Sequence, residues 1–133
     1  MLGDFKSVSK LVSDAKYLKM VKIRQHFPNN VIEDIEYEVS AKLSRPEMLD
    51  RIKLGMRIAI TAGSRGISNI ALIIKTVCAI VKEQGGIPYI IPAMGSHGGG
   101  TAQGQRNIIE SYGITEEYCQ AEIYSCMDVK HIG

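Results

Sequence analysis

The chain has 133 residues, enough for one domain that buries roughly two thirds of the surface its unfolded form exposes. Its 45% apolar and 23% charged residues are those of an ordinary globular protein, and 16 basic against 14 acidic side chains leave a net charge of +2. No nucleic acid or membrane partner is indicated: Lys16, Lys19, Lys22 and Arg24 are separated by apolar positions and lack a stacking array, as on a solvated face, and no apolar run reaches membrane-spanning length.

Residues 1–19 mix Ser, Lys and Asp with scattered Leu and Val, with no apolar leader behind Met1, and read as an N-terminal arm before an α/β domain over 20–133. Met20 to Phe27 alternates apolar with polar, the period of an edge strand with one exposed face. Pro28-Asn29-Asn30 breaks it and offers an N-cap, and Val31, Ile32, Ile35, Val39 and Leu43 recur at helical spacing, so an amphipathic helix is expected over 31–44 with acidic residues in its first turn. Arg57 to Ala62 is a short apolar run, a strand buried on both faces. Asn69 to Gln84 carries Ile70, Ile73, Ile74, Val77 and Val81 on one stripe and stops at Gly85-Gly86, the strongest helical pattern in the chain. Ile87 to Pro92 reads as a strand despite its prolines, Ala102 to Tyr112 as a helix closed by Gly113, Thr115-Glu116-Glu117 as a single helical turn, and Ala121 to Ser125 as a last strand. The order βαβαβαβ predicts a three-layer, Rossmann-like α/β domain with a mostly parallel sheet and right-handed crossovers.

Cys78, Cys119 and Cys126 are odd in number and form no Cys-x-x-Cys pair, which argues against a disulfide framework or a zinc site and suits a reducing cytoplasm. Cys78 falls in an apolar helical run, as a small core residue does. The chain stops at Gly133 directly after a strand, which reads as a fragment; an apolar surface left uncovered there would favour a homo-oligomer.

The informative feature is a near-repeat. Gly63-Ser64-Arg65-Gly66 closes one strand and Gly95-Ser96-His97-Gly98 closes the next, one βαβ unit later. Parallel strands end on the same side, so both loops emerge at the carboxyl edge of the sheet, where open α/β folds bind ligands. Were the strands adjacent, roughly 5 Å would separate their axes and the loops could share a ligand. Each loop leads into a helix whose first amides lack internal partners. Arg65 adds a permanent cation, and Ser64, Ser68 and Asn69 can donate or cap. Two readings stand side by side: an anion cradle, or a tight strand-to-helix turn with a solvated arginine. In the second loop Gly98-Gly99-Gly100 lets the backbone approach a ligand and Thr101 can cap the next helix. His97, in the middle of this segment, is the residue type that ordinarily titrates nearest neutrality, and it is either an acid/base or a loop histidine without a role. His26 and His131 lack such a setting, and neither a dinucleotide nor an NTP fingerprint is present.

The stretch Ala62 to Gly66, then Pro92-Ala93-Met94-Gly95-Ser96-His97-Gly98-Gly99-Gly100-Thr101-Ala102-Gln103-Gly104-Gln105 and Ser111-Tyr112-Gly113-Ile114-Thr115, resembles the N-terminal domain of lactate racemase-like (LarA-type) proteins over about residues 20–133. The resemblance implies a 2-hydroxy acid racemase or epimerase that uses a nickel-pincer nucleotide, with two histidines exchanging the hydroxyl proton of a small 2-hydroxy acid. His97 matches the first of these. Ser64, Arg65 and Gly66 fall where the family has its phosphate-binding Thr-Arg turn, with Gly66 in place of the usual proline, and Ser68, Asn69, Gly98, Gly99 and Thr101 complete the expected cofactor-binding set. The family's second histidine, its cofactor-bearing lysine, its nickel-ligand histidine and its C-terminal domain correspond to nothing in this chain, so no metal ligand is assigned and the piece alone is expected to be inactive. The competing expectation is a noncatalytic anion-binding or assembly module of the same fold.

Overall fold

The computed structural model describes residues 10, 13, 20–28 and 30–129, and the chain divides into two compact units, 1–30 and 31–133. In the first unit, residues 20–28 form neither strand nor helix, and the side chains of Met20, Val21, Ile23 and Phe27 are exposed. The edge strand expected at Met20–Phe27 is therefore corrected. Alternation supplies an apolar face, but a strand exists only where a neighbour completes its ladder, and among the described residues the sheet has three strands rather than four. The arm expected over 1–19 lies outside the described residues apart from Lys10 and Ser13.

The second unit runs α1 (Ile35–Leu43), α2 (Pro46–Leu49), β1 (Arg57–Ala62), α3 (Ile70–Glu83), β2 (Ile87–Pro92), a 3-10 turn (Gly98–Gly100), α4 (Ala102–Ser111), α5 (Glu116–Cys119) and β3 (Glu122–Ile123). The order βαβαβαβ is thus replaced by one in which helices precede the first strand. α1 starts later than its apolar spacing suggests because Asp34 is the effective cap, its carboxylate accepting the amide of Tyr37 at 2.8 Å. α2 went unread because a single turn has no periodicity; Pro46 at its first position, where the missing N–H costs nothing, is the signal for it. The turn at Thr115 forms as expected, with the threonine hydroxyl accepting from Tyr118. None of the helices among the described residues is long and apolar enough to cross a membrane.

The three strands are parallel in the order β1-β2-β3. Ile60, Ile90 and Ile123 lie in register across them and join one core with Ile70, Ile74 and Cys78 of α3 and Ile109 of α4. The alternate positions are more open: Ala59 and Glu122 are exposed and Tyr89 is half-buried, with Arg57 stacked 4.9 Å from the Tyr89 ring. The described unit is accordingly a two-layer α/β arrangement, where three layers were expected. Right-handed crossovers along an unreversed strand order deliver successive helices to the same face, and only a reversal would send a helix to the other.

α4 approaches the loop before it closely. A Cβ on Gly104 would fall 1.8 Å from the carbonyl oxygen of Gly98, and one on Gly98, at φ +65°, would fall 2.4 Å from the carbonyl carbon of Gly104. In an open helical position Gly→Ala stabilises by about 1 kcal/mol. Here the sign should reverse, Gly104→Ala costing about 1 to 3 kcal/mol through overpacking, read as a lower urea midpoint with an unchanged slope.

Burial pushes the Cys78 thiol up from 9.0 to about 11, with the neighbouring Cys119 adding to the effect. Below pH 9 folded and unfolded chains both keep the proton. Above it the unfolded chain ionises first, so this contribution to stability is lost as pH rises from about 9 through about 11. The loss should be on the order of 2 kcal/mol and absent from Cys78→Ala, as measured by unfolding midpoints across that window.

Candidate functional site

β1 and β2 pair along their whole length, ending with Ala62 opposite Pro92, and the pairing continues one step beyond, where the amide of Ala93 donates to the carbonyl of Ala62 at 2.8 Å. The condition for a shared site is thereby met, and the loops 63–69 and 93–101 leave the same edge side by side.

They touch through their side chains. Ser64 Oγ lies 2.5 Å from His97 Nδ1. His97 is exposed and sits in extended backbone at φ −64° and ψ 160°, ahead of the glycine turn. Its Nδ1 faces the first loop, which leaves Nε2 as the ring nitrogen available to a reactant. Either tautomer satisfies the contact: Ser64 donates to a bare Nδ1, or accepts from an Nδ1–H.

Arg65, Gly66 and Ser68 are exposed on the first loop, and no carboxylate among the described residues pairs with Arg65. Asn69 occupies the N-cap position of α3, but its side chain does not cap. It sits in the left-handed region at φ 61°, and its amide donates to Ser68 Oγ at 3.3 Å. Of the two parts open to it, donating or capping, Asn69 donates, since capping needs extended backbone to swing the side chain over the first turn. The amides of Ala71 and Leu72, in that turn, have no acceptor among the described residues. A cavity of about 410 Å³ opens beside them, walled by Ile67, Asn69 and Ile70 on one side and by Tyr112 and Tyr118 on the other.

In the second loop Gly98, Gly99 and Gly100 all have positive φ. Nothing lies within reach of a side chain at Gly99 or Gly100, whereas Gly98 is committed to its packing on Gly104. The Thr101 hydroxyl is committed too, accepting from the amide of Gly104 and donating to the carbonyl of Gly98, both at 3.1 Å. Of the expected cofactor-binding set, Ser64, Arg65, Gly66 and Ser68 with Asn69 thus form one cluster at the first loop, and Gly99 is the freest backbone of the second.

Sequence reasoning missed two residues. Gln105 is buried and donates from Nε2 to the carbonyl of Gly95 at 2.7 Å, and the Tyr112 hydroxyl donates to the carbonyl of Ser64 at 2.6 Å. The signal for Gln105 was a polar residue four positions before Ile109, on the buried stripe of α4. A second cavity, about 440 Å³ between α1, α2, β1 and α3, is lined almost entirely by apolar side chains, with Arg51 the one charged residue, and includes no residue of these loops. Among the described residues no three His, Cys, Asp or Glu side chains gather as a metal ligand set. In comparison with known proteins, no family model, curated protein or solved structure matches this chain.

Left-handed backbone at a non-glycine residue costs roughly 1 to 2 kcal/mol, least for asparagine. Asn69→Gly should therefore hold or raise the thermal midpoint, while Asn69→Val should lower it.

Proposed function

We propose that the chain is the N-terminal module of a lactate racemase-like 2-hydroxy acid racemase or epimerase, with His97 exchanging the substrate's hydroxyl proton and the Arg65 loop holding an anion. The observation that carries this reading is the Ser64–His97 contact between two glycine loops at the carboxyl edge of a parallel sheet. For His97 to act as a base, Nε2 must present its lone pair. Nδ1–H then donates to Ser64 Oγ, and the contact holds the ring plane. A 2-hydroxy acid would place its hydroxyl at Nε2 and its carboxylate toward fixed positive charge.

The nickel-pincer nucleotide that the resemblance implies supplies, when bound, the centre that accepts and returns the hydrogen of the substrate's α-carbon. Residues present here suit its phosphate end: Arg65 without a carboxylate partner, the open amides of Ala71 and Leu72, and the hydroxyls of Ser64 and Ser68. They offer no ligand set for its metal. The chain's own part is to bind the anion and to hold and return a proton at His97.

Two measurements test the proposal. Arg65→Ala should weaken the affinity of the chain for inorganic phosphate by about 1 to 3 kcal/mol. In the full-length protein carrying the matured cofactor, His97→Gln should slow racemisation of 2-hydroxy acids by roughly 10² to 10⁴-fold with little change in melting temperature, because the residue is exposed. Unchanged turnover with phosphate binding intact would leave a noncatalytic anion-binding module instead.

A further inference from the structure

We infer that Gln105 and Tyr112 are positioning residues that hold the two loops at the spacing the Ser64–His97 contact requires, with α4 as the rigid spacer between them. The inference rests on the reading of His97 as the proton-handling group. It concerns residues to which that reading assigns no part.

Gln105 lies one turn before Ile109 on the buried stripe of α4 and is only 7% exposed. A primary amide there has lost its water, and it is stable only if its hydrogen bonds are remade within the protein. Its Nε2 donates to the carbonyl of Gly95 at 2.7 Å, two residues before His97. Tyr112 is the C-cap of the same helix. Its hydroxyl donates to the carbonyl of Ser64 at 2.6 Å, across 48 positions of sequence, while its ring lies alongside Gly66. Gln105 and Tyr112 are seven positions apart, which in a helix is two turns, or about 10 Å of axis. One end of α4 therefore grips the loop of His97 and the other grips the loop of Ser64.

Among the described residues, no other side chain from outside these loops hydrogen-bonds the backbone of 63–66 or 95–97. β1 and β2 bring the loops to one edge, but their ladder ends at Ala62 and Pro92 with one further bond at Ala93. Beyond that point glycine-rich backbone would wander by more than the few tenths of an ångström that a hydrogen bond tolerates. The two anchors remove that freedom. A second consequence is chemical: a Ser64 held by its own carbonyl keeps Oγ aimed at Nδ1, so the orientation of the His97 ring is set from α4.

The test uses the whole chain with ¹⁵N-labelled histidine, since the Nδ1 shift of His97 responds to its hydrogen bond with Ser64 whichever partner donates. Ser64→Ala removes the contact and defines the unbonded shift. Tyr112→Phe, which keeps the ring, and Gln105→Met, which keeps the volume, should each move the Nδ1 shift toward that of Ser64→Ala, the ratio of bonded to unbonded ring falling about fivefold for the loss of an anchor of ordinary strength. Adding Tyr112→Phe to Ser64→Ala should produce no further shift, the non-additivity expected when one residue acts through the other. A purely structural pair would lower the melting temperature and leave the Nδ1 shift alone, and that result overturns the inference even if racemisation still depends on His97. Should Gln105→Met fail to fold, Tyr112→Phe decides alone. If Ser64→Ala itself leaves the shift unchanged, the contact is not made in solution and the inference falls, whereas the role of His97 is judged separately by turnover of His97→Gln.

Discussion

Parallel pairing of β1 with β2 is the constraint on which the rest of this structure depends. Because the strands run the same way and are immediate neighbours, the segments that leave them must emerge together, and the segments that join them must be helical crossovers. The site and the core are two results of that single arrangement. At the carboxyl edge it brings Ser64 to His97; along the strands it aligns Ile60 with Ile90 and, through β3, with Ile123, so that α3 and α4 have one apolar face to cover.

The core and the site meet in α4. Ile109 of that helix is fully buried against the sheet, and the burial fixes the axis from which Gln105 and Tyr112 reach outward. Gly104 permits the approach at the start of the helix, since its hydrogen occupies the space beside the Gly98 carbonyl. Further along, Arg106 pairs with Glu110 at 2.8 Å and Glu116 at 3.1 Å, and the first of these hydrogen-bonded partners raises its guanidinium above the usual arginine range. Glu116 in turn accepts the amide of Ile123 at 2.9 Å, which ties α4, α5 and β3 together. These ion pairs are part-exposed and individually modest, so their use is chiefly to fix direction.

The two loops divide the chemistry between them. The first carries charge and open amides at the head of a 14-residue helix, a setting that favours an anion without any moving part. The second carries a titratable ring on backbone that glycine leaves unobstructed. Neither is a site by itself, because an exposed arginine and an exposed histidine are ordinary surface features. What distinguishes them is mutual placement, with Nδ1 of His97 occupied by Ser64 and Nε2 left open.

The regular elements from residue 57 onward were legible in the sequence, since their apolar spacing and glycine stops are local properties that the strands Arg57–Ala62 and Ile87–Pro92 and the helices near 70–83 and 102–111 obey. So was the suspicion attached to Ser64, Arg65 and His97, which follows from residue types in repeated glycine loops. The strand expected at Met20–Phe27 and the third layer were not decided there, because alternation says only that a face exists, while a ladder needs a partner and a layer needs a reversal in strand order. The bond of Thr101 to the Gly98 carbonyl and the packing of Gly98 on Gly104 were not legible in the sequence either, because they depend on how closely the helix approaches the loop. The clasp by Gln105 and Tyr112 lay wholly outside the reach of the sequence, since its hydrogen bonds span 10 and 48 positions and arise only once the helix has been laid across the sheet by the burial of residues elsewhere.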